Sequence, residues 1–277
     1  MKRRDPLSIA LRVFTYLAAG ITVGAFICLV GYILIKGIPN LRPSLFAWEY
    51  TSENCSMTPA IINTFIMTLT ALLFAAPLGI FTAIFMVEYA KRGSPLVKIV
   101  RTAAETLSGI PSIVYGLFGF LFFLSKLGWG FSLLSGASTL AIMILPLIMR
   151  TAEEAIRSVP DTYREGSFGL GAGRLRTVFR IVLPAAMPGI LSGIILATGR
   201  VVGETAALIY SAGTVAQIPT SVFSSVRTLS VHMYALSNEG LHMGEAFATA
   251  AVLLILVALL NALSSQVAKK LAGGGSK

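Results

Sequence analysis

Arg200 and Glu204 stand where charge is costly, at the end of the apolar run Ile181–Gly199, which continues apolar beyond them. Burying Arg in a membrane costs at least about 2.5 kcal/mol before pairing or water relieves it. If the helix continues, positions i and i+4 share one face. A guanidinium can hold a tetrahedral oxyanion through two parallel donors. Glu204 could fix Arg200 in place or accept a remaining proton of the anion, and it would repel an anion with no proton to offer. The competing reading of the pair is a structural ion pair that helps assemble a helix bundle.

A second constellation is the polar segment Arg150–Arg180, with six arginines and the acids Glu153, Glu154, Asp161 and Glu165. Val159-Pro160-Asp161 predicts a helix start, with Asp161 able to cap it. Tyr163, Phe168 and Leu170 are apolar positions within it, and Gly169, Gly171 and Gly173 allow a tight reversal. Leu175, Val178, Phe179 and Val182 then resume at helical spacing. Such a segment is either an amphipathic helix lying on lipid or a knob that enters a groove on a cytoplasmic partner.

Other chemistry is poorly represented. No G-x-x-x-x-G-K-[ST] phosphate cradle occurs, and Gly169–Gly173 only grazes a dinucleotide pattern without a preceding strand. Ser192 lies outside any G-x-S-x-G elbow. His232, Glu239, His242 and Glu245 match no metal-ligand spacing and read as loop polarity outside the membrane. Cys28 and Cys55 fall at different depths, which argues against their pairing. Asn54-Cys55-Ser56 is formally a glycosylation sequon, and chance is the better reading of it.

The elements that must position these residues follow from composition. Of 277 residues, 55% are hydrophobic and 12% charged, with mean hydropathy +0.81. Soluble domains carry about 25% charged residues. The same figures exclude disorder, and two cysteines exclude a disulfide framework. Continuous apolar runs, rather than short alternating segments, give an all-α polytopic membrane protein and not a β-barrel. Six spans are expected: 13–35, 61–87 with a kink at Pro77, 107–124, 131–149, about 181–212, and 246–268. The first is too long for a signal-peptide core and lacks a small-residue cleavage site.

Basic residues set the orientation. With the N-terminus inside, seventeen Lys and Arg fall on the cytoplasmic side and four (Lys36, Arg42, Lys126, Arg227) outside. This N-in/C-in arrangement makes 1–12 a cytoplasmic N-terminus and 269–277 a cytoplasmic tail, with Gly273–Lys277 flexible in composition. Trp48 and Tyr50 suit an interface belt. The net charge of +10 is a topology signal and a contact for lipid headgroups, and it argues against nucleic acid as a partner.

The spacing of the polar segment carries a family resemblance. Glu165-Gly166-Ser167, three residues, Gly171, nine residues, then Ile181-x-Leu183-Pro184 resembles the "EAA" loop of bacterial ABC importer permeases, with Gly166 and Ser167 in place of two alanines. Leu107–Gly116 (LSGIPSIVYG), Arg150–Pro160 (RTAEEAIRSVP) and Arg200–Ala206 (RVVGETA) are similar to segments of the permeases of the phosphate-specific transport (Pst) system. The similarity runs from about Ile61 to the end, and the chain's length and its Leu229–Tyr234 stretch favour the PstA type over the PstC type.

The resemblance implies a MetI-like, type I importer bundle over 61–268, with 150–180 as the loop that couples to an ATPase. It implies a heterodimer with a PstC-like permease, a PstB-like ATPase dimer that binds ATP and Mg, and a PstS-like periplasmic phosphate-binding protein. The cargo would be inorganic phosphate and the location the bacterial inner membrane. This chain would hold no cofactor and no metal and would not itself be an enzyme. Asp161, Glu165 and Gly171 become the coupling elbow, and Arg200 and Glu204 the substrate pathway. Gly109, Pro111 and Ser112 line that pathway or simply break a helix. An importer of another oxyanion is the nearest rival. An ion-coupled carrier acting alone would need coupling-ion ligands and commonly internal repeats, and an intramembrane enzyme would need a catalytic constellation.

Overall fold

The computed structural model describes residues 6–273 except Arg92. Part of the basic-residue count (Lys2, Arg3, Arg4, Arg92, Lys277) and the tail 274–277 lie outside the described residues. Within them the chain is all-helical, with no strand.

Helix α1 (Pro6–Gly37) leads through two short 3-10 turns to α2 (Thr58–Ile84), which continues through Pro77 and widens into a π turn at Phe85–Tyr89. Helices α3 (Pro95–Ser108) and α4 (Ser112–Gly119) follow, α4 ending in a π turn at Phe120–Lys126. Then come α5 (Leu133–Arg157), α6 (Asp161–Gly169), α7 (Arg174–Thr177) with a π turn at Val178–Val182, and α8 (Leu183–Val202). The chain ends with α9 (Ala206–Ser211), α10 (Leu229–Glu239) and α11 (Met243–Gly273).

Five helical rods are long and apolar enough to cross a membrane: Leu11–Asn40, Thr58–Tyr89, Leu133–Arg157, Arg174–Val202 and Met243–Leu263. A sixth candidate is a bent pair, α3 with Ser112–Lys126, turned by 104°. Their large apolar side chains, Phe14, Leu69, Leu121 and Leu259 among them, are exposed in the isolated chain, the surface that lipid covers.

Three expectations about the spans need correction. The run 107–124 is not one helix. Pro111 has no N–H to donate and pushes the residue before it away from helical backbone, so α3 stops at Ser108 and α4 begins at Ser112. The fifth span does not reach 212. It stops at Val202, and Gly203–Thr205 separates it from α9. The polar segment also shortens, because α5 extends to Arg157; only Ser158–Gly173 stands clear of the long rods.

The core sits between α2, α5, α8 and α9, around Met67, Leu140, Ile144, Ile148 and Leu208. Glycines set the close approaches of α8 to α5. A Cβ on Gly189 would lie 2.6 Å from that of Ala155, and one on Gly193 would collide with Thr151. Gly199, further along α8, and Gly203, just past its end, set no such close approach: a Cβ on Gly199 would meet Asn261 at an ordinary 3.7 Å, and one on Gly203 only the Gly199 carbonyl. A second core at the elbow end joins Ile156, Val159, Val178, Val182 and Ile190. A third, at the opposite end, packs Leu45 and Met57 against Leu229 and Leu236. Helix α1 stands aside, touching α11 through Gly37 and an edge-on Tyr32–Phe247 pair.

Candidate functional site

The elbow is built from α6, a glycine reversal and α7. Pro160 occupies the N-cap position without a side-chain cap, and Asp161 is the first helical residue rather than the cap. Its carboxylate reaches Arg164 at 3.1 Å and is otherwise exposed. Gly171 has φ +83 and nothing near its missing Cβ, so the left-handed conformation, not crowding, requires glycine there. Gly169 and Gly173 do not share that conformation. Of the two small residues in the EAA positions, Ser167 is buried and its hydroxyl lies 2.8 Å from that of Thr177, closing α6 onto α7. Gly166 faces open space.

The outward surface of this hook is apolar despite the polar sequence around it. Leu170 is 91% exposed, and Tyr163, Phe168 and Leu175 protrude beside it. Glu165 is exposed on the same short helix.

Arg164 fastens the hook to the long helices. Its side chain is only 14% exposed and reaches Glu88, on the π turn that ends α2, at 2.7 Å. It also donates to the carbonyls of Val159 (2.8 Å) and Ile156 (3.1 Å), at the end of α5. A guanidinium with this many fixed partners is pre-organised. Nearby, Glu153 on α5 accepts from Arg101 on α3 (2.5 Å) and Arg157 (2.9 Å), and Arg150 reaches Glu105 at 2.8 Å. The sequence reading missed Arg164 and Glu88 as a pair. They are 76 positions apart, and the only local signal was the Asp161–Arg164 spacing.

Arg200 and Glu204 are not the pair their spacing predicted. The helix ends between them, so they do not share a helical face. Among the described residues Arg200 has no carboxylate within 4.0 Å. Glu204 turns to the next helix instead: its carboxylate accepts from the Ala207 N–H at 3.0 Å, capping the start of α9. Its carbonyl accepts from Ser230 at 2.6 Å. Arg200 is left exposed on the flank of α8. The elbow and this break are not one site. Twenty-six residues of helix at about 1.5 Å each put Arg200 roughly 40 Å from Arg174.

His232 is not loop polarity either. It is fully buried on α10, with Nε2 3.3 Å from the Cys55 carbonyl and an edge-on contact to Tyr50. Arg227 covers the Tyr50 ring at 5.3 Å. Burial, with the Arg227 charge adding, holds the imidazole neutral by lowering its pKa to about 4. Tyr50 is therefore a packing residue, while Trp48 remains exposed. Among the described residues no His, Cys, Asp and Glu cluster could hold a metal ion.

The described residues thus form an all-helical membrane bundle that carries an exposed helical hook and a break after Val202. The family described as "Binding-protein-dependent transport system inner membrane component" matches residues 75–273, and the chain belongs to it. The chain is 35% identical to "Probable ABC transporter permease protein YqgI" of Bacillus subtilis (strain 168), covering 88% of this chain and 89% of that one. It is 36% identical to "Phosphate transport system permease protein PstA 1" of Mycobacterium tuberculosis (strain CDC 1551 / Oshkosh), covering 75% and 69%. Among solved structures, a bacterial alginate ABC transporter in complex with an alginate pentasaccharide-bound periplasmic protein has a chain of TM-score 0.66 at 16% identity, covering 97% and 99%. The inward-facing MetNI methionine ABC transporter gives 0.60 at 18%, covering 87% and 96%.

Proposed function

We propose that this chain is a transmembrane permease subunit of an ATP-driven inorganic phosphate importer of the bacterial inner membrane. The observation that carries the coupling role is the hook: four exposed apolar side chains on a polar segment, rigidly tied through Arg164 to the ends of α2 and α5. Exposed apolar side chains on so short a helix suit a groove on another protein. A clamp that grips two spans turns motion of that partner into rocking of the bundle.

In this reading the hook, with Asp161, Glu165 and Gly171, lies in the cytoplasm together with both termini. It docks into a PstB-like ATPase dimer, which binds the ATP and Mg. A PstC-like permease completes the pathway and a PstS-like protein delivers phosphate from the periplasm. Support for phosphate comes from the PstA relatives and from Arg200, an exposed guanidinium on the flank of α8 with no carboxylate within 4.0 Å among the described residues. One such guanidinium per subunit allows passage where a tighter cage would trap the ion. Glu204 supports the break that presents Arg200 rather than pairing with it.

The test is uptake into vesicles holding the assembled transporter. Phosphate accumulation should require ATP and the companion ATPase, with sulfate a poor competitor. Arg200→Gln, at normal membrane level, should cut phosphate flux at least about ten-fold; near-wild-type flux removes Arg200 from the pathway. If another oxyanion is carried in preference, the chain serves that importer instead.

A further inference from the structure

Two adjoining cavities flank α3, and they differ in chemistry. The first, about 870 Å³, opens between the end of α2, α3 and the elbow. Six cationic side chains and three carboxylates line it. The carboxylates are committed: Glu88 and Asp161 to Arg164, and Glu105 to Arg150. Arg101 and Arg157 are likewise taken, by Glu153. Lys91, Lys98 and Arg174 have no carboxylate within 4.0 Å among the described residues, and Arg174 stacks over the Tyr89 ring at 5.7 Å. A cavity with three uncompensated cations selects an anion, and its size exceeds that of a simple ion.

The second, about 630 Å³, is an open hollow on one face of α3 alone, floored by Ile99, Ala103 and Leu107 with the threonines Thr102 and Thr106. Lys98 and Thr102 line both cavities, so a cationic chamber and a mainly apolar helix face share one helix. That helix lies at 104° to the segment Ser112–Lys126. If the latter crosses the bilayer, α3 runs nearly in the plane of the interface, with Leu96 and Ile99 exposed.

We propose that this corner binds one anionic phospholipid, its phosphate headgroup between Lys91, Lys98 and Arg174 and an acyl chain along the exposed face of α3 at Ile99 and Ala103. A free phosphate ion shares the headgroup's chemistry and would use the three cations but leave that face uncovered. The exposed apolar side chains of α3 beside the cationic chamber, Leu96 and Ile99, favour the lipid. Arg174 opens α7 directly after the glycine reversal, whereas Lys91 and Lys98 belong to the α2–α3 corner. A bound headgroup therefore bridges the elbow to that corner. The consequence for coupling rests on the proposed function; the binding itself does not.

The full-length chain, purified from nanodiscs of mixed phosphatidylglycerol and phosphatidylethanolamine, should retain phosphatidylglycerol preferentially by native mass spectrometry. The triple variant Lys91→Gln, Lys98→Gln, Arg174→Gln should lose that preference by at least about ten-fold. All three side chains are exposed, so folding is not at stake. Ile99→Asp, which leaves the cations intact, should weaken retention as well. Added inorganic phosphate should not displace the lipid. Equal retention of both lipids by wild type, an unchanged triple variant, an unaffected Ile99→Asp or displacement by inorganic phosphate each overturns the assignment. Lipid retention that persists in a chain lacking transport would leave this site standing while removing the transport reading.

Discussion

Arg164, rather than its acidic neighbours Asp161 and Glu165, ties the elbow to the long helices. Glu88 is 8% exposed at its side chain, and removing its partner leaves a buried charge uncompensated, a loss of about 3–5 kcal/mol. Arg164→Met should therefore lower the melting temperature of the purified chain. It should also reduce the stimulation of the companion ATPase, and adding Glu88→Gln should restore stability in part. An Arg164→Met chain that melts like wild type would remove the clamp from the account. Charge of the opposite kind is managed at His232, where the imidazole is kept neutral. Its pKa falls from 6.5 to about 4 on folding, so between those values the unfolded chain binds more protons. Stability is then full above about pH 6.5 and declines as the pH falls toward 4. Melting curves in detergent should show this slope for wild type and a shallower one for His232→Gln.

Among elements, the elbow and the two helix breaks matter most. Gly171 adopts a conformation that costs an L-residue about 1–2 kcal/mol, and no neighbour would crowd a side chain there. Gly171→Val should re-aim α6 relative to α7, so that ATP hydrolysis continues while uptake falls several-fold. Membrane level should be normal, and Gly173→Ala should behave like wild type. Coupled uptake by Gly171→Val would show that the reversal does not set the hook's direction. The break at Pro111 was legible as a proline inside an apolar run. What the run could not reveal was that the chain turns by 104° there, because hydropathy averages over a corner. The break at Gly203–Thr205 was hidden for a related reason. An i, i+4 acid–base pair looks helical until the acid caps the next helix instead.

For the molecule as a whole, topology is the property most open to direct test. In a cysteine-free background, Trp48→Cys should react with a membrane-impermeant thiol reagent from outside intact cells. Leu170→Cys should react only after the membrane is opened, since both positions are highly exposed yet lie at opposite ends of the bundle. The reverse pattern would invert the proposed orientation. Sequence by itself determined the all-helical, membrane-spanning class and the approximate spans. It also located the glycine-bearing hook, because apolar runs and turn chemistry are local and leave their mark residue by residue. Only the tertiary structure decided which charges meet: Arg164 with Glu88, Glu153 with Arg101, Glu204 with a backbone N–H rather than with Arg200. The first two pairs lie on different helices and depend on how the rods pack, which no spacing along the chain encodes; the Glu204 contact is local, but it forms only because α8 ends at Val202.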